Sequence, residues 1–414
     1  MTFPFAPNGP CPRLSKIELR KGIHMRRLGK WLGRLLILLA IPVVGFFIYG
    51  PEYVETQRNA VTEHAPYVIS PEAAALHKDL LIGDWHADTL LWNRDLNERG
   101  TRGQVDIPRL IEGNVALQMF TAVTKSPAGM NYDHNATDAR DNITLLAIGQ
   151  LWPPRTWGSL YQRALYQSEK LHAAQANSDR HLRIIRTEAD LDALMALKLA
   201  GEPVVGGLLG IEGAHPLEGD MNNLQGLQDA GYRMIALQHF FDNELGGSLH
   251  GSGGIGLTDF GRDVVQAVAE RGLILDLAHS SQQVVRDVLA LTDMPLVVSH
   301  TGIYKNCQTK RNFPDTLMQD IAATGGVIAI GYWADVTCDD SPAGVAKTIK
   351  VAIEIVGEDA VSLGSDFDGS VTTSFDTSEL AAVTQAMMDI GLTEVQIRKV
   401  AGGNMLRVLR DRLD

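Results

Sequence analysis

The sequence predicts an α/β fold, a TIM-like (β/α)8 barrel with an N-terminal membrane-anchor helix. Three observations predict it: eight short apolar runs recur between residues 80 and 369, amphipathic stretches lie between most of them, and an uncharged apolar run lies near the N-terminus. Strands that alternate with helices form a parallel sheet, and eight such units suggest closure into a barrel. A doubly wound open sheet is the alternative architecture.

The first element is the apolar run of residues 35–50, which follows residues 1–34 with eight Lys or Arg against one Glu. Its length lies between that of a signal-peptide core and that of a spanning helix, so an anchor and a cleaved signal both fit. No Ala-x-Ala motif follows, which favours an uncleaved single-pass anchor in the cell membrane. The basic flank predicts a cytoplasmic N-terminus, with the body facing the periplasm or exterior, or secreted if the run is cleaved.

The body is predicted to comprise a polar linker at residues 51–80 and one barrel domain at residues 81–414, with residues 125–180 as the candidate insertion. The body is acidic and lacks a basic stripe, which excludes nucleic acid as a partner. The three cysteines form no Cys-x-x-Cys pair, which argues against a thiolate metal site. Cys307 and Cys338 follow the apolar run, on the side predicted to be oxidising, where one disulfide is plausible.

The eight predicted strands are bounded by Gly, Asp or Pro and are, in order, LLIGDWHAD, NVALQMFTAV, PVVGGLLGIEG, RMIALQHF, GLILDLAHS, PLVVSHTG, GGVIAIGYW and AVSLGSDFDG. Between two of them, Leu257 to Arg271 has apolar residues at helical spacing, namely Phe260, Val264, Val265 and Val268. This alternation of the two periodicities is typical of βα units.

Six of the eight predicted strands end in His, Asp or Glu. They are His86 and Asp88 on the first strand, Glu212 on the third, His239 on the fourth, His279 on the fifth, His300 on the sixth and Asp366 on the eighth. The C-terminal strand ends of a barrel converge on one face, where active sites lie. Residues i and i+2 of a strand point the same way, so His86 and Asp88 can enter one cavity.

Such a cluster of ionisable residues predicts a metal site, because buried charges are costly unless they are paired or bind a metal. Three imidazoles with carboxylates suit Zn²⁺, whereas Mg²⁺ and Ca²⁺ call for oxygen ligands. Five ligands exceed what one catalytic zinc usually takes, so two Zn²⁺ ions that share Glu212 fit better. Two such ions can activate a bridging water as hydroxide and polarise a carbonyl, which is the chemistry of hydrolysis.

Two residues remain at the same face once the metal ligands are assigned. We assign His239 to stabilisation of the oxyanion and Asp366 to proton transfer. Asp368 shares the face of Asp366 and is interpreted as structural or as a support for the metal ligands.

Seven sequence blocks occur in a fixed order: DWHADTLLW, GIEGAHPL, GLTDFGRDVV, LILDLAHSS, VVSHTG, KRNFPD and LGSDFDG. In these blocks the sequence closely resembles the membrane dipeptidase (renal dipeptidase) family of dizinc metallopeptidases. The resemblance implies a zinc-dependent dipeptidase with two Zn²⁺ ions per subunit, and a homodimer as in many members. It places His86 and Asp88 on one ion, His279 and His300 on the other, and Glu212 on both.

The resemblance also implies roles outside the metal ligands. It matches Asp366 with the proton-transfer aspartate and His239 with the substrate-binding histidine. It further implies that Arg311, in KRNFPD, binds the C-terminal carboxylate of the dipeptide. Tyr332 is the candidate for a tyrosine that some members use near this carboxylate, and the spacing of the last two cysteines resembles a disulfide of animal members.

Departures from the family pattern leave the preferred dipeptide open, because Phe240 and Phe241 follow His239 where many members have a small polar residue. The charged ending RVLRDRLD lacks a lipid-anchor signal, so membrane attachment is expected at the N-terminus. The alternative function is a barrel amidohydrolase acting on a cyclic amide, an N-acyl group or a β-lactam. Such enzymes commonly bridge their metals with a modified lysine, so Glu212 favours the dipeptidase. A catalytically inactive, membrane-tethered binding protein is disfavoured by the complete ligand set.

Overall fold

The structure is a computed structural model that describes residues 1, 2, 4 and 16–413. Residues 3, 5–15 and 414 lie outside the described part, and they include part of the predicted basic N-terminal segment. The chain divides into two compact units, residues 1–51 and 52–414.

The apolar run lies on helix α1, Lys16–Arg58. Over Lys30–Arg58 this helix is long and apolar enough to cross a membrane, with a mean hydropathy of 2.2 in its most apolar window. None of that window is buried, unlike the core helix of a globular domain. An anchor and a signal sequence both agree with these properties.

The unit of residues 52–414 contains a sheet of nine parallel strands among the described residues. They are β1 Ile82–Ala87, β2 Val115–Val123, β3 Leu182–Ile184, β4 Val205–Glu212, β5 Tyr232–Ala236, β6 Ile274–Asp276, β7 Leu296–Thr301, β8 Val327–Ile330 and β9 Val361–Leu363. Their order is β2, β1, β9, β8, β7, β6, β5, β4, β3, and a further pairing of β2 with β4 closes eight of them into a barrel. The barrel prediction is confirmed, and the open-sheet alternative is excluded. Strand β3, which pairs with β4, is an addition that the periodicity does not predict.

Helices surround the strands, and most of them connect one strand to the next. The remaining α-helices are α2 Pro71–Asp79, α3 Ile107–Glu112, α4 Asn142–Gly149, α5 Leu160–Asn177, α6 Glu188–Leu199, α7 Met221–Asp229, α8 Asp259–Glu270, α9 Gln282–Leu289, α10 Asp315–Ala323, α11 Ala334–Thr337, α12 Pro342–Val356, α13 Ala381–Asp389, α14 Glu394–Arg398 and α15 Asn404–Arg412. Short 3-10 helices lie at Thr89–Leu91, Pro154–Thr156, His215–Leu217, Glu358–Ala360 and Thr377–Glu379, and a π-helix at Lys399–Gly403. Helices α4 and α5 lie in the candidate insertion.

Helix α8 shows how the sequence sets these elements. The hydroxyl of Thr258 accepts a hydrogen bond from the Gly261 N–H at 3.0 Å, which caps the first turn. Val264, Val265 and Val268 are buried on one side of the helix, as their spacing predicts.

Alternate residues of the strands enter two separate apolar clusters. Val298 and Ile328 belong to the large cluster that includes the surrounding helices. Val297 and Val327, one position earlier on each strand, belong to a second cluster with Met405 of α15. Because successive strand residues face opposite ways, both faces of the barrel wall are buried, which holds its C-terminal edge rigidly.

Candidate active site

The carboxylate of Glu212 lies at the centre of a cluster of imidazoles. Its Oε1 atom is 3.1 Å from His279 Nε2, 3.4 Å from His86 Nε2 and 3.5 Å from both His239 Nε2 and His300 Nε2. All five side chains are buried. Residues that are scattered along the sequence therefore meet around one carboxylate oxygen, as predicted.

The strands position these side chains at one edge of the barrel. His86 lies in β1, Glu212 ends β4 and His300 lies in β7. Three others lie three residues after the end of a strand: His239 after β5, His279 after β6 and Asp366 after β9. The C-terminal ends of parallel barrel strands meet on one face. The positions read from the strand ends are therefore the positions that converge.

Asp88 and Asp366 extend the cluster beyond Glu212. His86 Nε2 lies 3.5 Å from Asp88 Oδ1 and 4.0 Å from Asp366 Oδ1, and the Thr121 hydroxyl donates to Asp88 at 2.6 Å. Burial raises the pKa of the Asp88 carboxyl to about 6, helped by the charge of Glu212 and opposed by His86. Burial also raises the pKa of Asp366 well above its ordinary value; the charge of His86 opposes this shift, and the charges of Glu212 and Asp88 add to it.

The donor set fits a divalent metal ion. Three groupings of ligand atoms, each within 4.8 Å, are present: His86 with Glu212 and His300, Glu212 with His239 and His279, and His86 with Asp88 and Asp366. His86 Nε2 and Glu212 Oε2 are buried without a hydrogen-bond partner in the described part of the chain. Burial opposes the charge of Glu212, yet His239 and His86 hold its pKa well below the usual range. Buried lone pairs and a buried carboxylate of this kind are stabilised by a cation.

Arg311 is fully buried beside this cluster. Its guanidinium donates to the carbonyl oxygens of Ala278 at 2.9 Å and His300 at 2.8 Å, and it lies 5.7 Å from the Trp333 ring. Burial lowers its pKa. Among the ion pairs of the described residues, none joins this guanidinium to a carboxylate within 4.0 Å, so its buried charge has only neutral hydrogen-bond partners there.

Residues 71–413 match the sequence profile described as membrane dipeptidase, peptidase family M19. The chain belongs to this family. It is therefore a metallo-dipeptidase, a hydrolase that depends on a metal.

Two curated dipeptidases are similar to it along most of their length. Dipeptidase aclJ of Aspergillus oryzae is 34% identical over 358 residues, which cover 79% of this chain and 77% of that protein. Dipeptidase tcpJ of Claviceps purpurea is 28% identical over 319 residues, with coverages of 75% and 69%.

Solved structures share the fold of this metallo-dipeptidase. The probable dipeptidase PvdM from Pseudomonas aeruginosa superposes with a TM-score of 0.67 at 19% identity, covering 82% of this chain and 97% of that one. A metallopeptidase from Rhodobacter sphaeroides, liganded with a phosphinate mimic of the dipeptide L-Ala-D-Ala, gives a TM-score of 0.63 at 22% identity, with coverages of 80% and 99%. These matches establish the architecture of the barrel domain.

Two further residues of this dipeptidase line the site without having been predicted. The Tyr132 hydroxyl accepts a hydrogen bond from Trp333 Nε1 at 3.1 Å, and the Tyr132 carbonyl oxygen lies 3.1 Å from His250 Nδ1. The His250 ring stacks on Phe240 with centroids 4.8 Å apart. Burial lowers the pKa of His250 to about 3, so the ring is neutral at physiological pH. Tyr132 lies in the candidate insertion and His250 in the glycine-rich loop, both far from a strand end.

Tyr332 and Asp368 both lie away from the metal ligands of the dipeptidase. The Tyr332 ring packs against Phe367 and Phe375, with centroids 5.4 and 5.2 Å away, and is buried in the core. Tyr332 therefore does not supply the tyrosine expected near the carboxylate site. The tyrosine on the side of Arg311 is Tyr132, whose hydroxyl contacts Trp333, the ring that lies 5.7 Å from the guanidinium. Asp368 pairs with the Arg94 guanidinium at 2.5 Å, a contact that agrees with the structural interpretation of this residue.

The loop that carries Asp366 is held by a buried ionic network. Asp366, Asp368 and Ser370 all have left-handed backbone angles, with φ of 61°, 61° and 67°, which non-glycine residues adopt only when their surroundings enforce it. Arg94 joins Asp368 to Glu55, which lies near the end of α1, outside the residues matched by the family profile. The segment before the barrel thus braces the loop of the predicted proton-transfer residue.

A disulfide joins two of the loops around the site. Cys307 and Cys338 are bonded, with Cα atoms 5.4 Å apart, which confirms the predicted pairing. It ties the loop after β7, which carries Arg311, to the segment after β8, which carries Trp333.

Proposed function

We propose that this chain hydrolyses the peptide bond of dipeptides with two Zn²⁺ ions, one held by His86 and Asp88, one by His279 and His300, and both by Glu212. The position of Glu212 carries the proposal, because one of its oxygens faces imidazoles from both pairs and the other is buried without a partner. Imidazole nitrogen favours zinc over Mg²⁺ or Ca²⁺. When bound, the ions would supply an activated water and polarise the scissile carbonyl.

We assign the transfer of the proton from the attacking water to the leaving amine to Asp366. Its buried carboxyl has a pKa raised well above the ordinary value, which suits a group that must both accept and deliver a proton near neutral pH. In the reaction it takes the proton of the attacking water and delivers it to the leaving amine nitrogen.

His239 is assigned to the developing oxyanion. Its Nδ1 lies 3.1 Å from the Lys125 carbonyl oxygen, and this contact fixes the ring with Nε2 facing Glu212. A ring protonated on both nitrogens can donate from Nε2 to the oxyanion. Because His239 is as near to Glu212 as His300 is, zinc content must separate the two roles. We expect His239→Ala to retain two zinc ions and His300→Ala to lose one.

The substrate is held at its C-terminus by Arg311. Two of the five guanidinium N–H groups bind backbone carbonyls, which leaves donors for a carboxylate. The Rhodobacter sphaeroides protein of the same fold is liganded with a phosphinate mimic of the dipeptide L-Ala-D-Ala, which agrees with a dipeptide as the class of substrate. Phe240, His250 and Tyr132 form a neutral wall nearby, which suits an uncharged substrate side chain.

The test is a panel of dipeptides, including L-Ala-L-Ala and L-Ala-D-Ala, assayed before chelation, after chelation and after zinc is restored. We expect activity to disappear with the chelator and to return as two zinc ions bind each chain. An N-acyl amino acid, a cyclic amide and a β-lactam serve as comparison substrates for the amidohydrolase alternative. Full activity in metal-free protein, or preference for a comparison substrate, would refute the proposal.

We further propose that α1 anchors the enzyme in the cell membrane, with the catalytic unit outside the cytoplasm. The unburied apolar window of Lys30–Arg58 and the basic residues before it support this topology. The disulfide supports an oxidising compartment. Carbonate extraction of membranes, protease digestion of intact cells and N-terminal sequencing of the product test it. A soluble protein that begins after the apolar run would show a cleaved signal.

A further inference from the structure

One hydroxyl lies between two of the histidines that we assign to different zinc ions. Ser299 Oγ is 3.0 Å from His86 Nδ1 and 2.9 Å from His300 Nδ1. It is also 2.6 Å from Asp276 Oδ2. All four side chains are buried.

The number of hydrogens decides the direction of each bond. A serine hydroxyl has one hydrogen and two lone pairs. The short contact with a carboxylate, which only accepts, requires that the hydroxyl donates to Asp276. Both imidazoles must then donate their Nδ1 hydrogens to Ser299. In its neutral form each ring then has its lone pair on Nε2, and this atom lies 3.4 Å from Glu212 Oε1 for His86 and 3.5 Å for His300.

Asp276 is itself fixed in place. Its Oδ1 accepts the backbone N–H of Ser299 at 2.9 Å and the backbone N–H of Ala278 at 3.0 Å, so the carboxylate spans β6 and β7. The Ser299 hydroxyl therefore cannot turn away without losing a buried hydrogen bond. By contrast, His279 Nδ1 has no hydrogen-bond partner among the described residues, so this support is specific to His86 and His300.

We infer that Ser299, held by Asp276, is a positioning residue that orients a ligand of each zinc ion through a single hydroxyl. The inference rests on the proposed two-zinc function. Hydrogen bonds to the outer nitrogen of a ligating histidine fix its tautomer and orientation, and their loss typically lowers metal affinity. Because one hydroxyl supports both rings, its removal weakens both metal positions together, rather than one of them.

The chain offers a matched control in a second pair of the same geometry. Asp84 Oδ2 accepts the Ser365 hydroxyl at 2.6 Å and Asp84 Oδ1 accepts the Ser365 backbone N–H at 2.8 Å. The Ser365 hydroxyl also accepts the Phe367 backbone N–H at 3.0 Å and lies 2.9 Å from the carbonyl oxygen of His86, with no imidazole nitrogen among its described contacts. Ser365→Ala thus removes an equivalent buried Asp–Ser bond without touching an imidazole.

The experiment compares zinc binding by the full-length wild type, Ser299→Ala, Ser365→Ala and Ser299→Thr, with a chromophoric chelator as competitor. We expect Ser299→Ala to lose about 10- to 100-fold in affinity at both positions. Ser365→Ala and the hydroxyl-bearing Ser299→Thr are expected to bind zinc with about the affinity of the wild type. The thermal midpoints of the zinc-free proteins should fall similarly in the two alanine variants.

Three outcomes would overturn the inference. Wild-type affinity in Ser299→Ala refutes it directly, as does an equal loss in Ser365→Ala, since that would make the effect structural. Loss at one position alone would refute the shared support. If the wild type itself binds fewer than two zinc ions, the proposed function fails together with the inference. If the wild type binds two and only the variants behave otherwise than expected, the inference fails alone.

Discussion

The sharpest prediction concerns Arg311, whose buried guanidinium is assigned to the substrate carboxylate. We consider Arg311→Met, which keeps an apolar stem of similar length and removes every donor. Two donors of the native side chain hold the carbonyl oxygens of Ala278 and His300. Since the variant also loses these two bonds, its zinc content must be measured beside its kinetics.

The magnitude follows from the charge-assisted bonds to the substrate. A hydrogen bond to a charged group contributes about 1.5–3 kcal/mol, which corresponds to about a 10- to 150-fold change in affinity. We therefore expect the KM for a free dipeptide to rise by about this factor in Arg311→Met, with a smaller change in kcat. Arg311→Lys should fall between the two, because an ammonium retains charge but not the planar fork.

The assay compares each dipeptide with its C-terminal amide, which lacks the negative charge. The wild type should prefer the acid by a factor similar to the one above, and Arg311→Met should treat acid and amide alike. The amide is the matched control, because damage to the metal site would slow both substrates equally. An unchanged KM for the acid, or a preference for the acid that survives in Arg311→Met, would remove Arg311 from the carboxylate site.

Three other substitutions test the site and its supports. Asp366→Asn should retain both zinc ions and lose about 10²- to 10⁴-fold in kcat, and turnover near the wild-type rate would reject the proton-transfer role. Glu55→Gln breaks the buried pair with Arg94 and should cost about 3–5 kcal/mol in chemical denaturation. Glu112→Gln, which removes a half-exposed pair, should cost at most about 1 kcal/mol, and equal losses in the two variants would contradict the role of burial. Cys338→Ser should lower the free energy of unfolding by about 2–4 kcal/mol, because it removes the disulfide. A reductant should destabilise the wild type and leave this variant unchanged. Equal destabilisation of both proteins would exclude the disulfide as the cause.

The metal-site candidates could be predicted because each depends on a local rule. His86, Glu212 and His300 lie in strands. In each of these strands an apolar run is followed by a polar residue, and this change marks the strand end at the edge of the barrel. Closure of the barrel then brings these edges together whatever their separation in sequence. The strand β3 escapes this reasoning because it has three residues, with the exposed Arg183 between two buried ones, which is too short for a periodic signal.

Tyr132 and His250 could not be predicted in this way. Their contact joins positions 118 residues apart, on two loops whose paths depend on the insertion and on glycine-rich turns. Neither residue has a periodic neighbourhood that distinguishes it from any other polar loop residue. Arg311 is an intermediate case, because only the resemblance, and no local pattern, indicated a role for it; its burial is seen only in the structure.

The electrostatics of the cluster explain why a cation stabilises it. Burial lowers the pKa of His279 and His300 well below the ordinary value, and it raises the pKa of Asp88 to about 6 and that of Asp366 well above normal. His86 and Glu212 shift the other way despite their burial: Glu212 and Asp88 raise the pKa of His86, while His239 and His86 lower that of Glu212. The neutral rings of His279 and His300 thus present lone pairs close to carboxylate charge that burial makes costly. A divalent ion would use these lone pairs and offset that charge, so metal binding and folding of the barrel are coupled.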